Sequence, residues 1–171
     1  MKILRKWEVF KTIIGANEDF NKGIEISINL FLPEDLYSIL RESNGQKKDT
    51  SPIFGEFVRG VLGTQNIYYR FLSLQEILET INEMKNVDKI ESINLIPFAK
   101  YSVVFNGEIN THIFSIDKNS RIIYKTYFFY WEKFIRHKEF RSEKIAENLE
   151  EFIDNQILWY KEGYFKRPKL Y

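Results

Sequence analysis

Leu32, Leu36, Ile39 and Leu40 recur at i, i+4, i+7 and i+8, the spacing that lays one apolar stripe along a helix. Pro33 suits the first helical position, Glu34 and Asp35 put negative charge at the positive end of the dipole, and Arg41 sits in the last turn. Asn44-Gly45 then supplies the left-handed residue expected to end this helix. Upstream, Trp7, Phe10, Ile13 and Ile14 keep helical spacing and predict a first helix from Trp7 to about Ala16. Between the two, Gly23 to Leu32 alternates strictly, with Ile24, Ile26, Ile28, Leu30 and Leu32 on one side, and predicts a half-buried strand.

The pattern changes after Gly45. Residues 46–52 are polar, lack a period and close on Pro52, which predicts an exposed loop. Phe54 to Leu62, interrupted by Gly55 and Gly60, fits either a strand with a bulge or irregular chain, and Ile67 to Phe71 reads as a short strand. Ser73-Leu74-Gln75-Glu76 is a capping box opening a helix whose buried face is Leu74, Ile77, Leu78, Ile81 and Met84. A polar connection over Asn86 to Ser92 leads to the apolar Ile93 to Ala99, where Pro97 suits an edge or the start of a strand. Tyr101 to Phe105 and Ile109 to Asp117 flank Asn106-Gly107, a tight-turn pair, and so predict a hairpin. Lys118-Asn119-Ser120 turns the chain into a long aromatic strand, Arg121 to Trp131, giving an antiparallel meander. A last helix, capped near Ser142, buries Ile145, Leu149, Phe152, Ile153 and Ile157; a basic and aromatic tail follows over 161–171. The order of elements predicts an α+β fold: a single domain, residues 1–171, with a mainly antiparallel sheet, a C-terminal meander and flanking helices.

Composition narrows the function. With 171 residues, 44% hydrophobic and 29% charged, the chain has the make-up of a globular domain, and its aromatic share of 16% is high. The formal net charge of +1 provides no global field for nucleic acid or an anionic membrane. No cysteine is present, which removes disulfides, thiolate nucleophiles and sulfur-ligated zinc. The absence of a long apolar run or signal-like start leads to the expectation of a cytoplasmic protein.

Catalytic constellations are missing from the sequence. Two histidines cannot build a metal site unaided: His112 reads as a partly buried strand residue hydrogen-bonded to its neighbours, and His137, among cations, as a solvated loop residue. Glu34 with Asp35, and Glu150 with Glu151, point apart on their helices. Gly55-x4-Gly60 lacks the Lys and Ser or Thr of a phosphate loop, and neither Gly-x-Ser-x-Gly nor His-Glu-x-x-His occurs. The expectation is a non-enzyme without catalytic residues, cofactor or metal. Tyr124 to Arg141 interleaves rings with cations in the manner of a single-stranded nucleic-acid binder, but Glu132 and Glu139 dilute its charge and a half-buried strand needs those rings for packing. Aromatic and Arg residues near predicted strand ends, Tyr68, Tyr69, Tyr130, Trp131 and Arg136, are the candidates for contact with a protein partner.

The Leu32-Pro33-Glu34-Asp35-Leu36 helix with Asn44-Gly45, the Ile96-Pro97-Phe98-Ala99 segment, the Gly107-to-Asp117 strand and the Ala146-to-Ile153 helix resemble, in that order, the SUKH superfamily. The likeness extends over about residues 28–153. This group takes its name from yeast Smi/Knr cell-wall regulators and includes many bacterial immunity proteins. The resemblance implies a non-enzymatic domain that binds and neutralises a cognate toxin domain, commonly a nuclease or another toxin acting in the cytoplasm; the expected partners are that toxin domain, with no membrane and no nucleic acid, for a chain expected to be a monomer or weak dimer. Leu32, Pro33, Asn44, Gly45 and Pro97 carry over as fold determinants only. A regulatory or scaffold module of the cell-wall type is the alternative from another class, and a nucleic-acid binder the less favoured third.

Overall fold

A computed structural model describes residues 2–25, 32–60, 63–87, 94–105, 108–131 and 134–167, with the backbone alone at 59–60, 63–64, 87, 104–105, 108–109, 128–131 and 134–141. The described residues form four helices and eight strands: α1 (Lys2–Ile13), β1 (Phe20–Lys22), α2 (Glu34–Glu42), β2 (Ser43–Gln46), β3 (Phe54–Gly60), β4 (Gly63–Phe71), α3 (Leu74–Val87), β5 (Leu95–Phe105), β6 (Glu108–Asp117), β7 (Ile123–Trp131), β8 (Phe134–Ala146) and α4 (Leu149–Lys161). β1 and β2 make a small antiparallel pair, and β3 to β8 form one antiparallel sheet in sequence order. The chain is thus an α+β domain, as the order of sequence patterns predicts.

The expected hairpin and meander are present, with Phe105 opposite Glu108 across Asn106-Gly107 and Ile116 opposite Ile123 across the next turn. That second turn is fixed by Asp117, whose carboxylate accepts from the amides of Asn119 at 2.9 Å and Ser120 at 2.7 Å. These bonds favour the ionised form and, against the opposing effect of burial, hold the Asp117 carboxyl below its ordinary range. The interrupted Phe54–Leu62 stretch is strand β3 over Phe54–Gly60, and the short strand expected at Ile67–Phe71 extends back to Gly63.

A layer of α1 and α4 closes the inner face of the sheet. Trp7, Phe10, Phe54, Phe71, Phe98, Phe114 and Phe152 are all at most 1% exposed and belong to one cluster. Phe10 stacks on Phe54 at 5.2 Å, while Phe152 meets Phe54, Phe98 and Phe114 at 5.3, 5.4 and 5.0 Å. The bulge between Pro97 and Ala99 turns Phe98 into this cluster as an extra residue opposite β6. It also accommodates Pro97, because β4 pairs with β5 only at Lys100 and Ala99. On the outside, Lys2 and Lys6 of α1 pair with Glu150 at 2.6 and 2.8 Å, linking the two helices by exposed contacts of small energetic weight.

Several boundaries differ from the sequence patterns. Pro33 caps α2 from outside as its N-cap residue, and α2 ends at Ser43, whose extended backbone starts β2. Asn44-Gly45 therefore lies inside a strand. Gly45 has φ +76°, and an added Cβ would come 2.3 Å from the Ser73 amide nitrogen, so close packing of β2 on the start of α3 requires glycine. Asn44 caps that start, its Oδ1 accepting from Leu74 N at 2.9 Å, beside the expected Ser73–Glu76 box (2.8 and 3.3 Å). Gln46, expected in an exposed loop, is 2% exposed and bridges Ser51 O (2.7 Å) to the amide of Phe71 (3.0 Å). Leu32 is half-buried against the main core, while the strand expected over Gly23–Leu32 falls mostly on 26–31, outside the described residues.

The last helix begins later than its apolar spacing suggests. Ser142 lies within β8, and Asn148 is the cap, accepting from Glu151 N at 2.9 Å. Ile145 and Ala146, read as the first turn of the helix, end the last strand, and the backbone of His137 is strand rather than loop. A long aromatic and basic stretch hides the strand period, and Ser142 is as acceptable a cap by type as Asn148.

Candidate binding site

The inner face of the sheet changes character along its strands. Beyond the phenylalanine cluster, register places Tyr101 opposite His112, and His112 opposite Tyr127. Tyr69 lies beside Tyr101, with rings 6.4 Å apart; the following ring separations are 6.1 Å to His112 and 5.8 Å to Tyr127. Against this aromatic row stands a charged group. Glu56 of β3 accepts from Tyr69 Oη at 2.6 Å and pairs with Lys125 Nζ of β7 at 3.0 Å; Lys125 also reaches Glu143 of β8 at 3.2 Å.

Glu56 and Lys125 stand four strand spacings apart, about 19 Å in a flat sheet, so their contact requires the sheet to coil until β3 and β7 face each other. Glu56 is 8% exposed, and both of its oxygens are engaged, as burial of a carboxylate demands. Burial disfavours the Lys125 ammonium, but Glu56, reinforced by Glu143, outweighs it and raises the lysine above its usual value. Burial, followed by the Glu56 charge and hydrogen bond, drives the Tyr69 hydroxyl upward, so it remains a neutral donor. Burial lowers His112 against the attraction of Glu56, with Lys125 adding to the lowering. His112 is half-buried on its strand, as expected, and its Nδ1 is enclosed without a hydrogen-bond partner among the described residues, so that nitrogen does not supply the expected bond. Beside this group a cavity of about 290 Å³ is bordered by Lys125, Tyr127, Ser142 and Glu143.

The expected contact residues separate. Tyr69 is fully buried with its hydroxyl bound to Glu56, so it holds the interior and presents no surface to a partner. Tyr68, its neighbour, points to the opposite face and stays half-buried, edge-on to Phe165 at 6.2 Å. Phe57 shares that outer face two residues from Gly55, which pairs with Tyr68, and is 50% exposed. Trp159 packs on Phe165 at 5.2 Å, and Tyr164 is 56% exposed, so aromatic surface gathers around the β3 edge. The side chains of Tyr130, Trp131 and Arg136 lie outside the described residues. So do most of those in the proposed nucleic-acid stretch; Lys125, one of its cations, is turned inward onto Glu56.

Glu56, Lys125 and Glu143 escape sequence reasoning because their association is between strands distant in the chain. An acidic residue inside the apolar Phe54–Leu62 stretch is the only local signal of them. Among the described residues, no group of three or more His, Cys, Asp or Glu is placed to hold a metal, and no helix is long and apolar enough to cross a membrane.

A coiled antiparallel sheet, helices over its apolar half and a helix opening after Pro33 make up an α+β domain, and a family comparison identifies it. Residues 15–155 match the SMI1 / KNR4 family (SUKH-1), and the chain belongs to that family. Neither the curated proteins nor the solved structures contain a significant match to it.

Proposed function

We propose that this chain is an immunity protein, acting in the cytoplasm without catalysis of its own, that binds a cognate toxin domain and neutralises it by stoichiometric contact. Membership of the SMI1 / KNR4 family (SUKH-1) over most of the chain carries this reading. The aromatic surface of Tyr68, Phe57, Trp159 and Tyr164 supports it, because Trp and Tyr anchors are what protein interfaces use. A nuclease is the first toxin class to assay. The near-neutral net charge argues that blocking proceeds by shape and local contacts, not by imitation of a nucleic acid with a strongly acidic face.

The test is to tag the chain in its own host, capture it at moderate salt and identify what is recovered in equal amount. Recovery of the C-terminal domain of a large polypeptide, whose toxicity is then relieved by co-expression, is the expected result. Recovery of housekeeping proteins would favour a regulatory scaffold, and recovery of RNA, in salt-dependent fashion, a nucleic-acid binder.

A further inference from the structure

Beyond α4 the chain turns back onto the body of the protein and is held there by two side chains. Around the turn at Gly163, where φ is +77°, Glu162, Tyr164 and Lys166 are exposed, while Phe165 is only 1% exposed and Arg167 is half-buried. The Phe165 ring enters a socket made by β3, β4 and α4: it lies edge-on to Tyr68 at 6.2 Å and against Trp159 and Tyr160 at 5.2 and 6.2 Å. Gly55 is the floor of that socket, because a Cβ added there would come 2.6 Å from the ring. α4 fixes the floor in place. Gln156 donates to the carbonyl of Gly55 and accepts from its amide, each at 3.0 Å, and Tyr160 donates to the carbonyl of Ile53. Two residues past the ring, Arg167 pairs with Asp19 and donates to the carbonyl of Gly15 at 2.8 Å, just beyond the C-terminal end of α1, where the helix dipole favours a cation.

We propose that this socket and the Gly15–Asp19 corner together form a docking site for a partner segment of the pattern aromatic-x-Arg, and that Phe165-Lys166-Arg167 fills it in the free chain as a displaceable occupant. The proposal deepens the binding reading above and rests on it. The seated residues define the chemistry of the site. A flat apolar ring fits over a glycine among three aromatic side chains, and a guanidinium two positions later meets a carboxylate and a carbonyl. Both anchors belong to one short, otherwise exposed segment rooted at a glycine, so ring and cation can leave together by rotation there while α4 keeps its place. The Arg167–Asp19 pair is partly exposed and screened by salt, which makes it the weaker of the two anchors. Position supports the same reading: Phe57, two residues from Gly55 on the same face and 50% exposed, and Tyr164, 56% exposed, carry the aromatic surface on from the socket.

The probe is the peptide Lys-Glu-Gly-Tyr-Phe-Lys-Arg, the sequence of residues 161–167, compared with a counterpart carrying Ala in place of its Phe. Each is titrated to millimolar concentration against the isotope-labelled full chain while the resonances of Gly55, Tyr68 and Trp159 are followed. Phe165→Ala, with its socket emptied, is expected to bind the Phe peptide about tenfold or more tightly than the wild type, whose own ring competes at the high effective concentration of a short tether. Arg167→Ala removes the weaker anchor, keeps the ring and is expected to fall between the two. Gly55→Ala added to Phe165→Ala should abolish uptake by filling the floor. No uptake by Phe165→Ala, equal response to both peptides, or an Arg167→Ala chain that binds no better than the wild type overturns the proposal. Dimers of Arg167→Ala in sedimentation, formed by exchange of tails, would overturn it in favour of a second copy as the occupant. If Phe165→Ala does not fold, Arg167→Ala against the wild type decides. Failure here alongside intact neutralisation of a toxin removes the socket alone. Success here with no toxin neutralised leaves the socket as a docking site and removes the immunity reading.

Discussion

Two halves of one sheet face, a few residues apart along the same strands, are held by different physics. In the covered half, Phe54, Phe98, Phe114 and Phe152 interlock beneath α1 and α4, and each added ring removes apolar area from water. In the other half, Glu56, Lys125 and Glu143 gain little from burial itself and persist because each charge has a partner, with Tyr69 joining the two halves by stacking on Phe114 at 4.0 Å while donating to Glu56. The first half tolerates loss of shape poorly; the second tolerates loss of a single partner poorly but loss of the whole set well. That difference teaches that burial of shape holds one half, while in the other the pairing of charges across the coiled sheet matters more than burial.

The comparison breaks first at its strongest point. Phe152→Ala should cost about 3–5 kcal/mol in urea unfolding, since its ring meets three others in the closed cluster. Glu56→Ala should cost about 3 kcal/mol by leaving the largely buried Lys125 and the Tyr69 hydroxyl without their carboxylate. Replacing the set together, as Glu56→Leu, Tyr69→Phe and Lys125→Met, should recover most of that loss. Equal costs for the single and triple variants would erase the distinction between the halves.

Away from both halves, Gly45→Ala should destabilise by more than about 1 kcal/mol, because it combines a positive φ with contact against the backbone of Ser73. The smallest expected effect is that of pH on His112. Burial and Lys125 lower its pKa in the folded chain below the ordinary 6.5, against Glu56, so the unfolded chain binds the proton more readily. Its contribution is therefore complete above pH 6.5 and is lost as pH falls through the folded value. Denaturation midpoints of the wild type and His112→Gln, compared between neutral and acid pH, should differ in slope in that sense.

Local periodicity made the covered half largely legible. The apolar stripes of α1, α2 and α4, the Ser73 capping box and the Asn106-Gly107 hairpin each depend on residues within a few positions of one another. β8 is hidden because charged and aromatic residues obscure its alternation, and the spacing of its last residues fits a helix capped at Ser142, four residues before the strand ends at Ala146. Asn44-Gly45 illustrates a second limit: the pair suits a helix stop, yet packing against Ser73 across the fold decides its use. The polar half was illegible for a third reason, since Glu56 and Lys125 meet only when the sheet coils. Tyr68 and Tyr69 show the cost at the surface, being equivalent by composition while alternation sends one outward and the other into the interior.

The most direct test of function is a titration of a candidate toxin domain, the one captured with the chain from its host, with the purified chain, reading residual toxin activity against molar ratio. Inhibition that is complete at one chain per toxin domain is the predicted result. Full toxin activity at a large excess of the chain, or inhibition that needs turnover and therefore succeeds far below equimolar amounts, would contradict a stoichiometric immunity protein.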